Sequence, residues 1–268
     1  MKLLLLHLSI ILLVLGVINA FQPSVLAEQK TESPKFKVEN NGLQTIGANA
    51  YGVFDVETGE ILFGKNIDEE LPIASVTKLF TASAVLDSDK IEDEITITFN
   101  DVATEGRAGK LVPGQIYKIR DLIFPLLLES SNDAAAALER NIGQIPFGDK
   151  VLADASGLSD KNIATVDELA HEVSRVYKDA PYVFDVTKLK QSIGDQTGWM
   201  NNSPVRDLPG YMGGKHGYTE AANRTLVAVF TEVSLSDKEL GYVILGSDNI
   251  RADVEKLRSF VENSVHLE

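Results

Sequence analysis

The sequence predicts an α+β fold in which segments from both ends of the chain build one antiparallel sheet around an inserted helical lobe. Three observations carry this expectation. Strand-like runs stand early in the chain, at Ala50 to Phe54 and Ile61 to Phe63; strand-like runs return after Gly213; and the stretch between has the spacing of helices. With 268 residues, 44% of them hydrophobic and 24% charged, the chain is long and apolar enough to bury a full core.

The elements follow in order. Met1-Lys2 precedes an apolar run from Leu3 to Ala20, broken only by His7, Ser9, Gly16 and Asn19, which reads as an export segment. Val25-Leu26-Ala27 offers a cleavage point after a small residue, yet the run approaches the length that spans a bilayer. Residues 1–27 are therefore expected to be either a signal peptide or an N-terminal anchor. Residues 28–41 read as a polar linker, and a globular domain is expected over 42–266. Any membrane contact is expected from the N-terminal segment alone, and Leu267-Glu268 could be a cloning remnant. Glu57-Thr58-Gly59 supplies a turn between the first two strands. From Ser75 to Leu86 the period becomes helical, with Leu79, Ala82, Val85 and Leu86 on one stripe. Asp121 to Leu128 and Ala134 to Leu138 read as two more helical stretches joined through Ser130-Ser131-Asn132. Thr165-Val166-Asp167-Glu168 is a capping-box pattern that opens a helix toward Tyr177. Thr225 to Val233 and Gly241 to Leu245 are β-branched and apolar, and Ile250 to Val261 closes as an amphipathic helix.

Charge and composition exclude several functions. The formal charge is −14, and loss of residues 1–27 would remove only Lys2, making it −15. With no Lys/Arg-rich run to neutralise phosphates, nucleic acid is not an expected partner. Cysteine is absent, which excludes disulfides, Cys-ligated metals and thiol nucleophiles. No cofactor or metal is called for, and the oligomeric state is left open.

The chemistry is expected at Ser75-Val76-Thr77-Lys78, where a hydroxyl and an amine three residues apart share one helix face. A serine hydroxyl is a weak nucleophile at neutral pH. A neighbouring lysine activates it only when burial or a nearby cation strips the amine of its proton. The bland reading is a helix-capping serine followed by a solvated lysine. Two further groups stand downstream: Ser130-Ser131-Asn132, and Lys215-His216-Gly217 after Gly213-Gly214. Each has its own bland reading, Ser130 or Asn132 as a helix cap and Lys215 as a surface charge. Ser247-Asp248-Asn249 also matches Ser-x-Asn, but it follows Lys215 and is expected to cap the last helix.

In this order the three groups resemble the Ser-x-x-Lys, Ser-x-Asn and Lys-Thr-Gly motifs of the penicillin-recognising serine enzymes. Ala50 to Leu86 is similar to the opening of the low-molecular-mass D-alanyl-D-alanine carboxypeptidases, and Leu126 to Leu138, Ala153 to Leu158 and Gly213 to Ala222 resemble further stretches of that family. The likeness covers most of residues 48 to 250. It implies the serine β-lactamase and penicillin-binding-protein fold. It also implies peptidoglycan stem peptides ending in D-Ala-D-Ala as substrates, β-lactams as covalent inhibitors, and an extracytoplasmic site of action. By the same resemblance Ser75 is the nucleophile, Lys78 its proton acceptor, Ser130 and Lys215 the relay to the leaving amine, and Asn132 a substrate holder. The backbone amides of Ser75 and Tyr218, beside Gly217, would form the oxyanion hole. His216 departs from the family's usual Thr or Ser, which puts substrate choice in doubt.

Alternatives remain. D,D-endopeptidase action is the same acyl transfer, and a class A β-lactamase shares the motifs. The latter needs a Glu-x-x-x-Asn loop, which none of Glu139, Glu168 and Glu172 supplies. A non-catalytic muropeptide or β-lactam sensor is the rival of another class. A Ser-His-Asp hydrolase lacks its Gly-x-Ser-x-Gly, and a metallopeptidase lacks a second His where Arg175 stands.

Overall fold

The computed structural model describes residues 35–39, 42–106, 109–194 and 197–268, so the expected export segment lies outside the described residues. In chain order the principal elements are strands β1 (Phe36–Val38), β2 (Ala50–Asp55) and β3 (Ile61–Lys65), then helices α1 (Thr77–Leu86), α2 (Ile123–Leu128), α3 (Asn132–Ile142), α4 (Val166–Asp179) and α5 (Tyr182–Lys188). Strands β4 (Tyr211–Thr219), β5 (Asn223–Glu232) and β6 (Lys238–Ser247), helix α6 (Ile250–Ser264) and strand β7 (Val265–Leu267) complete it.

Five strands form one antiparallel sheet in the order β4-β5-β6-β2-β3, so the two ends of the chain meet between β6 and β2. This is the α+β architecture expected from the sequence. Successive residues of each strand point to opposite faces. Ala50, Phe54, Val227, Val229, Val243 and Leu245 join the core shared with the helical lobe. Tyr51, Val53, Leu226, Phe230, Tyr242 and Ile244 pack instead with Val254, Leu257 and Val261 of α6. Because both faces are covered, every residue of β2 is buried, and the strand reads as a continuous run rather than an alternation.

Local signals hold where they were strong. The capping box forms in full, with Thr165 Oγ accepting from the Glu168 amide at 3.0 Å and the Glu168 carboxylate accepting from the Thr165 amide at 3.0 Å. Asn249 caps α6, its side chain accepting from the Ala252 amide. Two expectations change. Helix α1 does not bury one stripe: Thr77, Lys78, Leu79, Phe80, Thr81, Ala82, Ser83 and Val85 are all buried, while Leu86 is not, because the helix runs through the lobe's core. Residues Phe36–Val38, within the expected linker, pair antiparallel with Val265–Leu267, so the C-terminal Leu267 is a paired strand residue.

Candidate active site

The turn that carries Ser75 is shaped before the helix begins. Ala74, Ser75 and Val76 form a single 3₁₀ turn, and Ala74 is held at φ 48°, a left-handed value costly for a residue with a Cβ. Thr225 of β5 donates its hydroxyl to the Ile73 carbonyl at 2.8 Å and pins the approach to this turn. The turn is clasped from both sides by glycine. A Cβ on Gly217 of β4 would overlap the Ser75 backbone nitrogen, and one on Gly157 would overlap the Ala74 carbonyl. Strand β4 and the 154–159 loop thus approach Ser75 as closely as backbone can.

Lys78 follows on the first turn of α1 and is wholly buried. Its amine donates to Ser75 Oγ at 3.0 Å, to Asn132 Oδ1 at 2.8 Å and to the Ser156 carbonyl at 2.5 Å. Burial pushes the Lys78 pKa down to about 7, against the opposing pull of the Asp154 charge. Near neutral pH a substantial fraction is free amine, the form able to take a proton from a serine hydroxyl. The bland reading of a capping serine and a solvated lysine does not hold. The N-cap residue of α1 is Val76, and Lys78 has no exposed surface.

The second group is arranged by a different serine from the one expected. Ser131 is the N-cap of α3, accepting from the Ala134 amide at 3.0 Å. That leaves Asn132 for Lys78, while its amide nitrogen donates to the Glu105 carbonyl at 2.6 Å. Ser130, the motif serine itself, stands half-buried on the same turn with φ 61°, left-handed like Ala74 beside Ser75.

The third group lies on β4, the edge strand of the sheet. Lys215 is buried, and its amine donates to the His216 carbonyl at 2.6 Å. Gly217, two residues on and hence on the same face of the strand, meets Ser75. His216 stands opposite Leu226 in the register, on the alternate face, and with Tyr218, Arg224 and Arg251 lines a groove of about 500 Å³. Tyr218 is 62% exposed, with the Arg224 guanidinium 5.6 Å from its ring centre.

Sequence reasoning missed the 154–159 loop as part of the site. Asp154 Oδ1 accepts from the Ser156 amide, the Ser156 hydroxyl and the Gly157 amide at 2.6 to 2.7 Å, and Oδ2 accepts from the Ser159 amide at 2.8 Å. Asn162 ties the loop to α1 through Thr77, and Thr81 donates to the Ala155 carbonyl. Asp-x-Ser-Gly is a readable turn signal. Nothing in it announces a meeting with Lys78.

A family model described as peptidase S11, D-alanyl-D-alanine carboxypeptidase, matches residues 35–144, the stretch that holds Ser75, Lys78, Ser130 and Asn132. Over this stretch the chain is similar to the peptidase S11 family. It is 32% identical over 157 residues to the D-alanyl-D-alanine endopeptidase of Pseudomonas aeruginosa, covering 57% of this chain and 51% of that one. To the D-alanyl-D-alanine carboxypeptidase DacB2 of Mycobacterium tuberculosis it is 28% identical over 201 residues, 67% of this chain and 69% of that one. The chain thus spans about half to two thirds of the length of these curated relatives. Penicillin-binding protein D2 of Listeria monocytogenes, solved with cefotaxime bound, superposes with a TM-score of 0.69 at 21% identity, over 82% of this chain and 97% of that one. The fold of this chain is that of the penicillin-binding proteins and DD-peptidases.

Proposed function

We propose that this chain is a serine-type D-alanyl-D-alanine carboxypeptidase acting on peptidoglycan stem peptides. The observation that carries the reading is the wholly buried Lys78 amine, 3.0 Å from Ser75 Oγ and titrating near neutrality. Ser75 Oγ attacks the carbonyl carbon of the penultimate D-Ala, and its proton passes to Lys78. The peptide C–N bond then breaks, and the leaving D-alanine amine takes a proton relayed by Ser130 and Lys215. Water hydrolyses the Ser75 ester and returns the hydroxyl. Asn132 holds both Lys78 and the substrate's peptide group, and the amides of Ser75 and Tyr218, on either side of the contact made by Gly217, receive the oxyanion. His216 binds the substrate's terminal carboxylate through a ring N–H in place of a hydroxyl. β-Lactams acylate Ser75 in the same way, a reading supported by the cefotaxime complex of the Listeria protein.

This activity belongs outside the cytoplasmic membrane, with residues 1–27 as cleaved signal or as anchor; no helix among the described residues is long and apolar enough to cross a membrane. Cleavage of cross-links is the second reading, favoured by the endopeptidase name of the Pseudomonas relative. The decisive experiment offers wild type and Ser75→Ala a peptide ending in D-Ala-D-Ala, and in parallel a cross-linked dimer. Release of D-alanine by the wild type alone is expected. Equal release by both proteins overturns the assignment, and a wild type that forms no adduct with a fluorescent penicillin marks a binding protein instead.

A further inference from the structure

We infer that Asp154 is a positioning residue for acylation: its carboxylate winds residues 154–159 into the loop that presents the Ser156 carbonyl to Lys78 and seats Gly157 on the Ser75 turn. The inference rests on the serine-acylation reading above and adds a residue to it.

The geometry is specific. The Asp154 carboxylate accepts four hydrogen bonds of 2.6 to 2.8 Å, all from Ser156, Gly157 and Ser159 of its own loop. Its backbone carbonyl is held in turn by the Asn162 amide at 2.9 Å. The product of this winding is one carbonyl oxygen, that of Ser156, 2.5 Å from the Lys78 amine. Gly157, at φ 81°, then lies against the Ala74 carbonyl where any Cβ would collide. One side chain therefore controls the surroundings of both the proposed base and the proposed nucleophile.

Asp154 also acts through its charge. Burial opposes its ionisation, but the hydrogen bonds from the Ser156 hydroxyl and from the Ser159, Ser156 and Gly157 amides hold its pKa below the usual carboxylate value. It stays ionised throughout the step in which Ser75 Oγ bonds to the carbonyl carbon and its proton moves to Lys78. The ionised carboxylate favours the ammonium form of Lys78 and offsets part of the effect of burial. On α3, Glu139 feels the Asp154 charge and accepts from the Ala155 amide; α1 has no ionisable residue besides Lys78. Glu139 itself is pushed up by burial and by Asp154, so it is the weaker anion of the two.

The test measures the rate of acylation of the full chain by a fluorescent penicillin across pH for wild type, Asp154→Asn and Asp154→Ala. Asp154→Asn keeps an acceptor for the Ser156 and Gly157 groups but loses the charge and the bond from Ser159. Its acid limb is expected to move down by roughly one pH unit, with a plateau within about tenfold of wild type. Asp154→Ala, which also loses the winding, is expected to lower the plateau by more than about tenfold. An Asp154→Ala variant that acylates at the wild-type plateau overturns the inference, and so does a limb for Asp154→Asn that coincides with wild type. A wild type that forms no adduct fails the acylation reading itself, which is a different result.

Discussion

Asn132 Oδ1 accepts a hydrogen bond from Lys78 Nζ at 2.8 Å across a separation of 54 residues, and the same side chain donates to the Glu105 carbonyl. The amide is thereby oriented by both of its ends, and it locks the α3 terminus against the first turn of α1. A buried amine surrounded by three oxygen acceptors is directed rather than merely buried, which is what a proton acceptor for Ser75 requires.

The pH dependence of acylation follows from Lys78. With its pKa pushed down to about 7, the free amine is depleted as pH falls, so the rate should rise through about pH 7. Lys78→Arg, which keeps the charge but cannot give up its proton, should cost roughly 100- to 10,000-fold. Stopped-flow labelling checks both, and a rate flat down to pH 5 would contradict the role.

Gly217→Ala should damage the site without touching a reacting side chain. The added Cβ would overlap the Ser75 nitrogen and stand 2.9 Å from Ala74 Cβ, so either β4 or the Ser75 turn must move. Acylation is expected to fall by about tenfold or more, since misplacement of this order carries that cost. A variant labelled at the wild-type rate would show that the contact is slack.

Asp133 should make the protein less stable at neutral pH than at acid pH. It is buried, neither carboxyl oxygen has a hydrogen-bond partner, and burial together with the Asp101 charge raises its pKa from 3.8 to about 6. The folded state therefore holds this proton more tightly than the unfolded chain. The stability it confers is fully present below about pH 4 and is lost as pH rises through about 6. Asp133→Asn should stabilise by about 1 kcal/mol at pH 7, allowing for screening, and by nothing at pH 4. Urea midpoints at the two pH values decide it; equal shifts would refute the titration.

His216→Thr should change the profile on its other side. A ring N–H that binds a carboxylate does so more strongly as imidazolium, which is lost near neutral pH. The fall in kcat/KM above neutrality should disappear in the variant while the rise due to Lys78 remains. An unchanged profile with the peptide substrate would remove His216 from substrate binding.

Much of this was legible in the chain. The hairpin around Thr58-Gly59, the capping box at Thr165 and the closing helix after Asn249 are local events, set by turn chemistry and by the periods of strand and helix. The spacing Ser75 to Lys78 is also local, because one helical turn is one helical turn in any surroundings. What no local rule contains is which oxygens surround the amine. Asn132 and Ser156 reach Lys78 from 54 and 78 residues away, Ser131 rather than its neighbours takes the cap, and Gly217 meets Ser75 only because β4 is the sheet edge beside α1. The sequence by itself determined the candidate groups Ser75 and Lys78 and the elements that bear them. The tertiary structure decided that the lysine is dry, and dryness is what brings its pKa from the ordinary lysine range to about 7.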